Sequence, residues 1–129
     1  MRGSLALLAV TVTLLTGCGQ KYYYYDEYVN ETARGALKSS KNVWVRTVDY
    51  NNDLITAELK RQGFTIDASK ADFIITVHDE STELAFTVHD AKTNQIIFSK
   101  VAMFVLLPSM EDRRTFILSN LNLFLGVKA

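Results

Sequence analysis

The sequence predicts an α/β domain of the α+β type. The expected form is a two-layer sandwich: a mixed sheet with an antiparallel meander and two helices on one face, in the order β-α-β-β-β-β-α. Three observations carry this. Runs of β-branched and aromatic residues recur between turn signals from residue 43 onward. Two stretches place apolar residues at helical spacing instead. With 129 residues, 48% hydrophobic and 22% charged, the chain is long and apolar enough for one folded domain and is not a low-complexity chain.

The elements follow in order. Val43-Trp44-Val45-Arg46-Thr47-Val48 reads as the first strand, with Trp44 expected in the core under a helix. Asn51 or Asn52 then caps a helix whose Leu54, Ile55 and Leu59 share a face, and Gly63 ends it. Thr65-Ile66-Asp67 is a short strand. Phe73–His78 and Thr82–Asp90 are strands that pair as a hairpin near Glu80-Ser81. Setting Phe73, Ile75 and Val77 opposite Val88, Phe86 and Leu84 puts all six on one face, and a slip of one residue would break that agreement. A turn at Lys92-Thr93-Asn94 leads to a long strand from Gln95 to about Leu106. Ser109 with Asp112 makes a capping box for a last helix, whose Ile117, Leu121 and Phe124 cover the sheet until Gly126.

The first residues read as an address. Arg2 is followed by Leu5 to Leu15 without a charge, a run too short for the ~20 residues of a membrane-spanning helix. A basic start, a short apolar segment and small residues after it are the parts of an export signal. A buried core helix is the competing reading, and the lack of any polar face opposes it. The run closes on Leu15-Thr16-Gly17-Cys18, which resembles the bacterial lipobox: an aliphatic residue, two small ones, then cysteine. The resemblance implies cleavage before Cys18 and acylation of its sulfur and new amino group, so that several chains hold the protein to a membrane. Cys18 is the sole cysteine, so no internal disulfide competes for it.

The expected organisation is a lipoprotein signal peptide over 1–17, a lipidated tyrosine-rich tether over 18–41 and a small α/β domain over 42–129. Cleavage removes Arg2 and no acid, leaving one net negative charge, so the lipid rather than a basic patch does the anchoring. Zero net charge on the whole chain gives no footprint for nucleic acid. Gly19-Gln20 after the cysteine lacks the aspartate associated with inner-membrane retention, which points to the outer membrane, with an inner-membrane anchor as the alternative.

Two features are candidates for contact. Tyr22, Tyr23, Tyr24 and Tyr25 suit lipid headgroups or a partner, or the domain's own surface. Val101–Leu107 is apolar on both sides: one side can pack on a helix, and the other is open to a partner unless the tether covers it, with Met103 and Phe104 as possible contacts. The most tempting catalytic feature is a repeat, Thr76-Val77-His78-Asp79 and Thr87-Val88-His89-Asp90. The hairpin sets its two histidines ~20 Å apart, which opposes a shared metal. No catalytic residue, metal site or cofactor is assigned.

The segment Leu54 to Lys100, with Ala71-Asp72-Phe73-Ile74-Ile75 and Asp90-Ala91-Lys92-Thr93-Asn94, is similar to small envelope domains of the TolB amino-terminal, Lpo-activator and curli-secretion lipoprotein kind. The resemblance implies a fold and a habit of acting as anchored adaptors, and it transfers no functional residue. The expected function is a non-enzymatic, membrane-anchored envelope lipoprotein that binds an envelope protein. The alternative is a structural subunit of an oligomeric envelope assembly or secretion pore.

Overall fold

The computed structural model describes residues 21–47 and 49–126, so Leu15-Thr16-Gly17-Cys18 lies outside the described residues. The elements are β1 (Tyr22–Val29), α1 (Glu31–Ala36), β2 (Asn42–Val45), α2 (Asp49–Arg61), β3 (Thr65–Ile66), β4 (Phe73–Glu80), β5 (Glu83–Asp90), β6 (Ile96–Phe104) and α3 (Met110–Leu125). One six-stranded mixed sheet has the order β1-β6-β5-β4-β2-β3. β2 pairs in parallel with β3 and β4, and the other pairs are antiparallel. The α/β class and the meander are as the sequence predicts.

The core lies between the sheet and α2 and α3. Val43, Val45, Phe73, Ile75, Leu84, Phe86, Val88, Phe98 and Ala102 face Ile55 and Leu59 of α2 and Phe116, Ile117, Leu121 and Phe124 of α3. Alternation in the strands and the 3.6-residue period in the helices put these residues on one side. The ends of α3 are as expected. Ser109 and Asp112 exchange both hydrogen bonds of a capping box, and Gly126 closes the helix at φ 79°. Gly63 takes φ 91° after α2. Asn51 and Asn52 do not cap α2, which begins at Asp49. Asn52 instead ties the helix to β2, donating to the carbonyls of Val45 and Thr47 at 3.0 and 2.7 Å.

The sheet begins earlier than expected. Part of the stretch read as tether, Tyr22–Val29, is an edge strand paired with β6. Tyr22 and Tyr24 turn inward: Tyr22 lies 4.8 Å from Phe104 and 5.8 Å from Phe116 between ring centroids, and Tyr24 is 6.1 Å from Phe116. A bulge at Tyr25 shifts the register, so that Glu27 and Val29 share the inward side. There Glu27 meets Lys100 of β6 at 2.5 Å, with the Lys100 ammonium 5.7 Å from the Tyr24 and Phe98 rings.

The hairpin register also differs. Phe73, Ile75 and Val77 stand opposite Asp90, Val88 and Phe86, a slip of two residues from the expected pairing. A two-residue slip leaves every side chain on its face, so hydrophobic parity cannot detect it. Ser81, at φ 55°, makes the turn that fixes the observed register.

Candidate interaction surface

With the helices on one face, the other face of the sheet is open among the described residues. Strand pairing builds it in rows. Tyr23, Met103 and Glu83 form the first, and Asp26, Val101, Ala85 and His78 the second. Tyr28, Ser99, Thr87 and Thr76 form the third. His89, Ile74 and Trp44 lie at the far end. The result is a floor of small side chains with aromatic groups at both margins. Tyr23, Tyr25 and Tyr28 are about half exposed, at 52%, 50% and 48%. Exposed aromatics around a floor of small apolar and hydroxyl side chains offer contact area at low cost in side-chain entropy.

The polar groups on this face have defined partners. The Tyr25 hydroxyl donates to the Glu83 carboxylate, and this bond more than burial pushes the phenol pKa above its ordinary value. Glu83 also lies 3.6 Å from Nε2 of His78. At the other margin the Arg46 guanidinium sits over the Trp44 ring at 5.6 Å. Burial, and secondarily the charge of Arg46, pulls the His89 pKa below the usual imidazole value. Both effects favour the neutral form of His89 at the edge of the floor.

The contact residues expected from sequence divide between the two faces. Tyr23, Tyr25 and Met103 are on the open face. Phe104 is not a surface residue: it is 3% exposed and packs on Tyr22 and Phe116. Tyr22 and Tyr24 are likewise turned into the helix side, where burial first, then Tyr24, raises the Tyr22 pKa to about 12. Trp44 reverses its expected place: Val43 and Val45 fill the core, so period two turns Trp44 outward. That parity was available in the sequence and outweighs the general tendency of tryptophan to be buried.

The two His-Asp pairs do not converge. His78 stands opposite Ala85, four residues from His89 along β5, or ~13 Å at the usual strand rise. The separation is smaller than the sequence suggests because of the two-residue slip. Among the described residues no group of three or more His, Cys, Asp or Glu is placed to hold a metal ion.

Two concavities lie off this face. A cavity of about 390 Å³ opens between α1 and the end of α3, with Arg34, Lys38 and Lys41 beside Phe64 and Phe124. Arg34 is engaged with the α3 carbonyls and Lys41 lies over the Phe64 ring. A shallower cleft of about 330 Å³ contains Asp79 and Arg113, which bridge each other at 3.1 Å.

No family model and no curated protein matches the chain. Among solved structures, the PelC dodecamer from Paraburkholderia phytofirmans aligns at 8% identity with a TM-score of 0.48, over 84% of this chain and 98% of that one. A single-substitution variant of that dodecamer aligns at 9% identity with a TM-score of 0.47, over 83% and 98%. No helix of the described residues is long and apolar enough to cross a membrane.

Proposed function

We propose that this chain is a non-enzymatic lipoprotein of a bacterial cell envelope, held at the membrane by lipid on Cys18, which binds an envelope protein through the open sheet face. The observation that carries the binding role is that face: half-exposed Tyr23, Tyr25 and Tyr28 flank a floor of Val101, Ala85, Thr87 and Ser99, and no described element covers it. Leu15-Thr16-Gly17-Cys18 behind an apolar run supports the anchor, and Gly19-Gln20 supports the outer membrane as its destination.

The sheet geometry bears on the alternative, an oligomeric assembly joined through the strand at Val101–Leu107. β6 is paired on both sides, by β1 and β5, so its backbone edge is occupied. Self-assembly would use the same open face or the free edge of β1, where the bulge and the charges of Asp26 and Glu27 hinder strand addition.

Photo-crosslinking in intact cells tests the reading. A photoreactive phenylalanine analogue at Tyr25 or Tyr28 is expected to give a discrete adduct, and the same analogue at exposed Leu123 on α3 is not. Equal yields from the sheet and helix positions would remove the assignment. An adduct of twice the chain mass would move it to the oligomeric alternative.

A further inference from the structure

Val105, Leu106 and Leu107 join β6 to α3, and they are 66%, 79% and 69% exposed, with Met110 at 51%. A connecting loop is ordinarily polar, so a run of exposed aliphatic residues there needs an occupant. The loop is also held in place. The Phe104 amide donates to the Thr82 carbonyl at 2.7 Å, Pro108 is buried, and the Ser109–Asp112 capping box follows at once. The apolar side chains are therefore presented on a rigid base.

The occupant follows from where the amino-terminal chain leaves the fold. The Val105 amide donates to the Lys21 carbonyl at 2.9 Å. The Lys21 ammonium bridges Asp112 at 3.0 Å, at the start of α3. Lys21 is thus fastened to both sides of the apolar loop. Two residues, Gly19 and Gln20, separate it from Cys18, and three chain steps reach at most ~11 Å when fully extended. Any lipid on Cys18 enters its bilayer within that distance of Lys21, at the same end of the sheet as Leu106 and Leu107. The opposite end carries the Lys92-Thr93-Asn94 turn.

We propose that Val105-Leu106-Leu107, with Met110, is a membrane-dipping loop that inserts into the leaflet holding the Cys18 lipid. The inference rests on the anchoring reading above and adds an orientation to it. Anchor and loop make two points of contact, so the domain stands with its strands pointing away from the bilayer and the open sheet face directed sideways. Insertion requires no ordering of the loop, which the capping box and the Lys21 contacts already fix.

The chain's single cysteine is Cys18, so in the acylated protein an introduced cysteine is the only free thiol. Full-length Leu107→Cys and, separately, Leu106→Cys are expressed in bacteria and labelled with an environment-sensitive fluorophore. They are then reconstituted in phosphatidylethanolamine–phosphatidylglycerol vesicles beside Lys92→Cys. Labels at 106 and 107 are expected to shift to the blue, to be quenched by doxyl-lipid and to resist aqueous iodide; the label at 92 should do the reverse. Both replaced residues are largely exposed, so the core is undisturbed, and circular dichroism checks this. Iodide access at 106 and 107 equal to that at 92 would overturn the loop proposal. So would protection that appears only as protein density rises and without doxyl quenching, which would assign the loop to contact between copies. The mass of the amino-terminal peptide from the same sample reports Cys18 acylation independently, so failure of the anchor is distinguishable from failure of the loop.

Discussion

Arg34 reaches from α1 to close the carboxyl end of α3, its Nε donating to the Phe124 carbonyl at 2.8 Å. A second guanidinium nitrogen donates to the Leu123 carbonyl at 2.9 Å, while the first-turn Glu31 holds the remaining side at 2.8 Å. A cation on the last carbonyls satisfies acceptors that have no partner within the helix and complements the helix dipole. This contact makes the segment before β2 part of the domain.

Arg34→Met is therefore expected to lower unfolding free energy by about 1.5 kcal/mol. Arg34→Lys should recover less than half, because a point charge cannot serve both carbonyls with the fork's geometry. Urea denaturation measures both. Equal stability of wild type and Arg34→Met would show that the cap is idle.

The amino-terminal strand yields a contrast between neighbours. Tyr24 packs on Phe116 and its hydroxyl accepts from Asn120 Nδ2 at 3.2 Å, whereas Tyr25 points to the open face. Tyr24→Ala should cost about 2 kcal/mol of stability. Tyr25→Ala should stay within about 0.5 kcal/mol of wild type and weaken partner adducts instead. The reverse pattern would mean that the strand faces the other way.

The same strand shows where the sequence falls short. A half-buried strand is recognised by alternation of apolar and polar residues. Tyr22 to Tyr25 alternates between faces with one residue type, and tyrosine suits either environment, so the period of two is invisible there. The α2 and α3 faces, the β4–β5 parity and both ends of α3 are legible because Ile55, Leu59, Ile117, Leu121 and the Ser109–Asp112 box each have one sensible environment. The hairpin register is not, since parity repeats every two residues and the turn at Ser81 decides between equivalent pairings. On the open face, Tyr23 and Met103 were anticipated. Tyr25 of the same run and Tyr28 shortly after it belong to the tyrosine cluster that the sequence marks for contact, and both lie exposed.

The amino end of α3 predicts an acid response. The Ser109 amide first, then Lys21, holds the Asp112 carboxyl below its usual pKa. A carboxylate depressed in the folded state contributes stability above its unfolded value, near ~3.9, and loses it as pH falls through the lower folded one. Asp112→Asn should accordingly flatten the acid limb of stability against pH, and Ser109→Ala should cost about 1 kcal/mol at neutral pH. An unchanged acid limb in Asp112→Asn would contradict the assignment.

His89 predicts a second pH effect with the same sign for a different reason. Its pKa is lowered by burial, then by Arg46. Below the usual imidazole value of ~6.5 the unfolded chain takes up a proton that the folded chain refuses, so stability declines as pH falls toward the lowered folded value. His89→Gln should remove that decline, with urea midpoints at pH 7 and pH 5.5 giving the comparison. A folded-state NMR titration of His89 at or above the usual value would contradict it.

Attachment through Cys18 is the step on which the membrane role and the loop's orientation both depend. Metabolic labelling with radioactive palmitate in a bacterial host, followed by membrane flotation, measures it in wild type beside Cys18→Ala. Label on the wild type with flotation, and neither in Cys18→Ala, is the predicted result. An unlabelled wild type, or a Cys18→Ala chain that floats as wild type does, would contradict it.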